Sequence, residues 1–206
     1  MRLGILVSGR GSNLEAVLDA IASGRLPGVE PAMVIANRPG IRALEVAARR
    51  GVPWRLLVRN DFPSARARDE AIGRALVESA CDVALLAGFD QVLRASYFAA
   101  FGGRTINIHP SLLPRHGGHG MVGLAVHAAV LAAGEAETGV TIHDVTPSLD
   151  AGPAILQVRL PVVPGESATD LAERVLEVEH RALVEVLAQL SGSMTAASPA
   201  PIRARR

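Results

Sequence analysis

The chain has 206 residues, 49% of them apolar and 20% charged, enough for one globular domain with a sizeable core and unlike a disordered segment. Its formal net charge of +1 argues against a broad nucleic-acid or membrane-surface footprint. One cysteine, Cys81, excludes an intrachain disulfide and reads as a buried small side chain. No apolar run reaches membrane-spanning length, and Leu3-Gly4-Ile5-Leu6-Val7 is too short for a secretory leader, so a cytoplasmic setting is expected.

Strand and helix signals alternate along the chain. Leu3 to Val7 predicts a buried strand, and Asn13 to Ser23 a helix stopped by Gly24. A strand over Ala32 to Ala36 is followed by a helix over Ile41 to Arg50, closed by Gly51. A third pair follows at Trp54 to Val58 and Ala65 to Ser79. Next come a strand over Val83 to Ala87, a short helix over Ser96 to Phe101, and a strand over Thr105 to His109. This rhythm predicts an α/β fold with a Rossmann-like, mostly parallel sheet flanked by helices on both faces. Such sheets bind ligands beyond the carboxyl ends of their strands.

The second half is less regular. Arg115 to Gly123 is rich in glycine and histidine and predicts a loop, followed by a helix over Leu124 to Ala133. Strands are expected over Thr138 to Val145 and Ile155 to Val163. Ser167 fits an N-cap with Asp170 three residues on, opening a helix to about Leu190. At Ser191 the composition shifts to small residues, proline and arginine. Residues 1–190 therefore read as a single domain and 191–206 as a flexible tail.

Three stretches carry chemistry. Asn107 and His109 are two residues apart in a predicted strand, so both side chains point the same way. Pro110 and Pro114 stiffen the exit. An amide donor beside a titratable imidazole suits a reaction that develops charge on a carbonyl oxygen, though the same residues also fit a polar strand end. Between the first strand and first helix, Ser8-Gly9-Arg10-Gly11-Ser12-Asn13 lets backbone approach a ligand at a helix N-terminus, a place suited to a phosphate. No lysine follows the glycines as in a P-loop, and Leu14 stands where a dinucleotide fingerprint needs a third glycine. A tight capped turn fits the loop as well. In Leu149-Asp150-Ala151-Gly152-Pro153, Asp150 fits either an Asx-turn or a carboxylate that faces His109 and raises its pKa.

Taken in order, these stretches resemble the phosphoribosylglycinamide formyltransferases (glycinamide ribonucleotide transformylases) within the folate-dependent formyltransferase superfamily. The resemblance covers about residues 2–190 and includes Leu86-Ala87-Gly88-Phe89, Asn107-Ile108-His109-Pro110-Ser111-Leu112-Leu113-Pro114 and Thr138-Gly139-Val140-Thr141-Ile142-His143. The histidine-proline run and the later aspartate mark the superfamily; Gly11-Ser12-Asn13 is the narrower mark. The resemblance implies the formyltransferase fold and transfer of a formyl group from 10-formyltetrahydrofolate to the amine of 5-phosphoribosylglycinamide in purine synthesis. It implies catalytic roles for Asn107 as oxyanion donor, His109 as imidazolium and proton carrier, and Asp150 as the group that raises the pKa of His109 and organises water. It assigns Gly11, Ser12 and Asn13 to the phosphate and Glu179 to the ribose. Backbone groups of Phe89, Asp90, Gln91, Val92 and Leu93, with Asn107, would hold the folate. An arginine near the start of the third helix often contacts the folate in this family; Ala65 takes that place, leaving Arg66 and Arg68 as neighbours, of which Arg66 is carried forward.

The chain departs from the common pattern at Asp90-Gln91, where Met-Arg is frequent, in the longer loop from Arg115 to Met121, and at Ala151 in place of glycine. His116 and His119 invite a metal site, but without a zincin motif no metal is expected; His127 and His143 read as structural, with His143 near the pocket. The expected partners are the two substrates, with no nucleic acid or membrane, and a homodimer is left open. A methionyl-tRNA formyltransferase would need a further C-terminal domain, and a formyltetrahydrofolate hydrolase an N-terminal regulatory one. That hydrolase and a non-catalytic phosphosugar-binding module remain the alternatives.

Overall fold

The computed structural model describes residues 1–197. Its elements are β1 (Arg2–Val7), α1 (Ser12–Ala22), β2 (Glu30–Ala36), α2 (Arg42–Arg49), β3 (Trp54–Leu56), α3 (Ala65–Glu78), β4 (Val83–Leu86), α4 (Ala95–Ala100), β5 (Arg104–His109), α5 (Leu124–Ala132), β6 (Glu137–Asp144), β7 (Ala154–Pro161) and α6 (Ala168–Ala197). The strands form one sheet in the order β3-β2-β1-β4-β5-β6-β7. The first five are parallel, while β6 and β7 add antiparallel at one side. The expected Rossmann-like, mostly parallel sheet is thus the architecture found.

Burial explains the strand sequences. Leu3, Ile5, Leu6 and Val7 are all fully buried, as a central parallel strand covered on both faces requires. β7 instead alternates exposed and half-buried residues, as an edge strand with one wet face does. One core lies under α1, α2, α5 and α6 and includes Ile5, Leu14, Val46, Val130, Leu183 and Leu187. A smaller core under α3 and α4 includes Leu6, Ile35, Ile72, Leu76 and Tyr97. Strand order reverses between β1 and β4, and the crevice beyond their carboxyl ends is where this topology takes ligands.

Three local features differ from expectation. β3 stops at Leu56, and the chain passes into one 3-10 turn over Arg59–Asp61. α6 continues through Ala197 where a tail was expected from residue 191, and its buried face reaches as far as Ser191. Ser191 is buried and its hydroxyl donates to the Pro27 carbonyl at 3.3 Å, while the small residues beyond it permit helix. The rest of the expected tail, 198–206, lies outside the described residues. Cys81 is half-buried, with burial pushing its thiol up to about 11. No helix among the described residues is long and apolar enough to cross a membrane.

Candidate active site

A cleft of about 760 Å³ opens at the carboxyl ends of β1, β4 and β5 and is closed by residues 118–124, the segment before β7 and one face of α6. Tyr97 of α4 covers the first inward residue of β5, its hydroxyl 2.9 Å from Thr105 Oγ1. Asn107 and His109 follow on the same face, past the reach of α4, and line the cleft.

Asp150 reaches them from the turn before β7. Its backbone is left-handed at φ 50°, a conformation aspartate tolerates better than most residues. Gly152 permits the turn: a Cβ there would lie 1.7 Å from the Asp144 carbonyl oxygen. Asp150 Oδ2 accepts from the Gly118 amide at 2.8 Å and lies 3.9 Å from His109 Nδ1, while Oδ1 lies 3.7 Å from His143 Nε2. The carboxylate therefore faces the histidines. His109 Nε2 donates to the His116 carbonyl at 2.8 Å, so both ring nitrogens look at oxygen acceptors.

The expected rise in the His109 pKa does not hold. Its pKa lies below 6.5, first because burial disfavours the charged ring. The His116 carbonyl and then Asp150 oppose that effect, and His143 adds to it. At 5% exposure the lost hydration outweighs a carboxylate 3.9 Å away. His109 is therefore a neutral imidazole at pH 7.

The glycine loop forms the other end. Gly11 is left-handed at φ 75°, and a Cβ there would come within 2.8 Å of Ala43 Cα, so only glycine fits comfortably where α1 meets α2. No side chain caps α1, and its first-turn residues Ser12 and Asn13, at positions whose N–H groups have no acceptor within the helix, line the cleft. Asn13 Nδ2 donates to Glu179 Oε2 at 3.4 Å, and its Oδ1 is buried with no partner. Glu179 is 8% exposed, and burial pushes its carboxyl up to about 7 against the opposing Asn13 bond. Gly11, Ser12, Asn13 and Glu179 are thus brought together at the end of β1, with β4 between that strand and the β5 that carries Asn107.

Phe89, Asp90, Gln91, Val92 and Leu93 form the wall after β4. Their backbone is tied down from outside: Asp90 N–H donates to Ser8 Oγ at 3.0 Å, and the Asp90 carboxylate accepts from Asn37 at 2.9 Å and from Arg38. Arg66 does not join this wall. Its side chain is 81% exposed and donates to Glu70 at 2.8 Å, because its helical position faces solvent. Arg68, on the inner face of α3, is buried and donates to Asp69, Gln91 and, at 3.2 Å, the Val92 carbonyl.

Two histidines read as structural line the cleft. His127 of α5 is 4% exposed, with a buried Nδ1 that has no partner; burial and the nearby His109 hold its pKa below 6.5. His143 is the cross-strand partner of Asn107, a relation that strand parity could have exposed once β5 and β6 were paired. Among the described residues no group of three or more His, Cys, Asp or Glu is arranged to hold a metal. His116 is engaged with Glu135 at 3.1 Å.

A family model described as formyl transferase matches residues 1–187. The phosphoribosylglycinamide formyltransferase of Escherichia coli (strain K12) is 38% identical over 180 residues, covering 87% of this chain and 82% of that protein. The trifunctional purine biosynthetic protein adenosine-3 of Drosophila pseudoobscura pseudoobscura is 39% identical over 191 residues; the match covers 92% of this chain but only 14% of that longer protein. Among solved structures, glycinamide ribonucleotide transformylase 1 from Symbiobacterium toebii superposes with a TM-score of 0.87 at 37% identity, covering 94% and 88% of the two chains. Its counterpart from Geobacillus kaustophilus gives 0.86 at 38% identity, covering 93% and 98%. With the family model spanning every element from β1 into α6, the chain belongs to the formyl transferase family.

Proposed function

We propose that this chain transfers a formyl group from 10-formyltetrahydrofolate to the amine of 5-phosphoribosylglycinamide, as a cytoplasmic enzyme of purine synthesis. One observation carries the reading: the cleft joins a polar trio, Asn107, His109 and Asp150, to an uncapped helix N-terminus with a buried carboxyl beside it. The first set suits charge developing on a carbonyl oxygen; the second suits a phosphosugar. The names of the relatives supply the same pair of chemistries.

The N–H groups of Ser12 and Asn13 hold the phosphate at the positive end of α1. Glu179, as a carboxylate, accepts from ribose hydroxyls. The wall from Phe89 to Leu93 holds the pterin through backbone groups, and its position is kept by Ser8, Asn37 and Arg68. The bound folate supplies the formyl group. An Asn107 N–H stabilises negative charge on the formyl oxygen. Neutral His109 takes the proton released as the amine attacks, then gives it toward the departing folate nitrogen. Asp150 stabilises the imidazolium that forms between these steps, at the 3.9 Å contact to Nδ1.

The test mixes purified protein with both substrates and follows folate absorbance and the formylated ribonucleotide. Formylated amine with stoichiometric loss of formyl-folate supports the reading. Loss of formyl-folate as formate, without the amine, would make the chain a hydrolase. Tight binding of the ribonucleotide without turnover would make it a phosphosugar-binding module.

A further inference from the structure

We propose that His143 is a positioning residue that fixes which end of the Asn107 amide faces the reacting carbonyl. The inference rests on the formyl-transfer reading and adds a residue that the trio leaves out. His143 lies on β6 directly across from Asn107 on β5, so the two side chains share one face of the sheet. It is 2% exposed. Its Nδ1 is 2.9 Å from the Asp144 carbonyl oxygen, which can only accept, so Nδ1 carries the hydrogen. In the neutral ring Nε2 then carries the lone pair, and it lies 3.1 Å from Asn107 Nδ2. The amide nitrogen must be the donor in that contact.

This chain of donors has one consequence for the cleft. A free asparagine amide turns over between two orientations of similar shape, one offering N–H and the other C=O. An oxyanion is stabilised by the first and repelled by the second. By accepting one Nδ2 hydrogen, His143 selects the orientation whose nitrogen stays on the His143 side, with its second N–H available to the formyl oxygen. The same tautomer gives Nε2 no hydrogen to donate to Asp150 Oδ1, 3.7 Å away, so neutral His143 is not a second proton donor to that carboxylate. The hydrogen that fixes the arrangement is on Nδ1 and is donated to the carbonyl of Asp144, the last residue of β6, whose own N–H donates to the Pro153 carbonyl at 3.0 Å.

Two measurements test this. The first uses the wild-type protein without substrate: nitrogen-15 NMR of the His143 ring, with the Asn107 side-chain amide resolved. A neutral Nδ1–H tautomer with one slowed Asn107 amide hydrogen is expected; an Nε2–H tautomer overturns the proposal whatever the enzyme's reaction. The second compares H143F, which fills the space without an acceptor, with H143Q, whose side-chain oxygen can accept from Asn107. H143F should lower kcat by roughly 10- to 100-fold while each KM and the affinity for each substrate alone stay within about two-fold, and H143Q should recover most of kcat. Unchanged kcat in a folded H143F, or equal losses in both variants with the unfolding midpoint falling in step, would reject the positioning role. Absence of formyl transfer in the wild type would reject the functional reading and leave the tautomer result to be judged by itself.

Discussion

At the scale of single residues, the site sets opposed electrostatic effects against each other. His109 is held neutral by burial although two oxygen acceptors face its ring. Asp150→Asn removes the carboxylate, one of the influences that raise that pKa, so NMR titration should show it falling further; no change would mean that the 3.9 Å contact has no electrostatic effect. Asn107→Ala, His109→Ala and Asp150→Ala should each cost about 10²- to 10³-fold in kcat with the fold retained, and the losses should not add in double variants. Glu179 runs the other way. Its carboxyl is moved from 4.5 to about 7 by burial, so between those pH values the unfolded chain has released a proton that the folded chain keeps. Folding stability therefore falls as pH rises through that window, by on the order of 3 kcal/mol in total. Glu179→Gln should be as stable as wild type at pH 4 and more stable at pH 8 in urea unfolding, while the KM for the ribonucleotide rises. Stability gained while binding is lost is the expected mark of a carboxyl kept for a ligand.

At the scale of elements, helix ends shape what faces the cleft. α4 spans Ala95–Ala100 and meets β5 at Thr105, while Asn107 and His109, further along the strand, line the cleft. α1 begins without a side-chain cap, which leaves its N–H groups to an anion, whereas α3 is capped by Ser64, which accepts from Ala67 at 3.1 Å, and α6 opens on reciprocal Ser167–Asp170 bonds. Gly11 sets the approach of α1 to α2. Gly11→Ala should destabilise the protein by about 1–3 kcal/mol, from its left-handed backbone and from the 2.8 Å approach to Ala43. Adding Ala43→Gly should recover only part of this, because it relieves the clash with the Ala43 methyl while the left-handed strain and the crowding against the Ala43 backbone remain. Full recovery in a double-mutant cycle would show that the backbone conformation costs nothing.

At the scale of the whole molecule, histidines held neutral inside the fold tie stability to acid. His109, His127 and His180 all lie below 6.5, each first through burial. As pH falls below 6.5 the unfolded chain takes up protons that the folded chain refuses, so each of these residues removes stability on the acid side. His127 shows the effect best, with a buried Nδ1 that has no partner. His127→Leu should flatten the acid limb of a stability–pH curve relative to wild type and leave stability near pH 8 less affected. An unchanged acid limb would mean that His127 titrates normally in the folded chain.

The sequence by itself determined the periodicities, and with them the alternation of strands and helices, the mostly parallel sheet, and the parity that aims Asn107 and His109 the same way. It also located the glycine loop at a helix N-terminus. These are local properties, set by residue type and spacing of two or 3.6 residues. Tertiary structure decided what depends on distant segments meeting. The turn before β7 brings Asp150 to His109, strand pairing puts His143 beside Asn107, and α6 carries Glu179 to Asn13. The sign of the His109 shift belongs here too, since burial is a property of the assembled cleft and not of the Asn-Ile-His run. So does the choice between Arg66 and Arg68: residues two apart on a helix differ in direction by more than half a turn, and only the packing of α3 against the rest of the molecule decides which faces in.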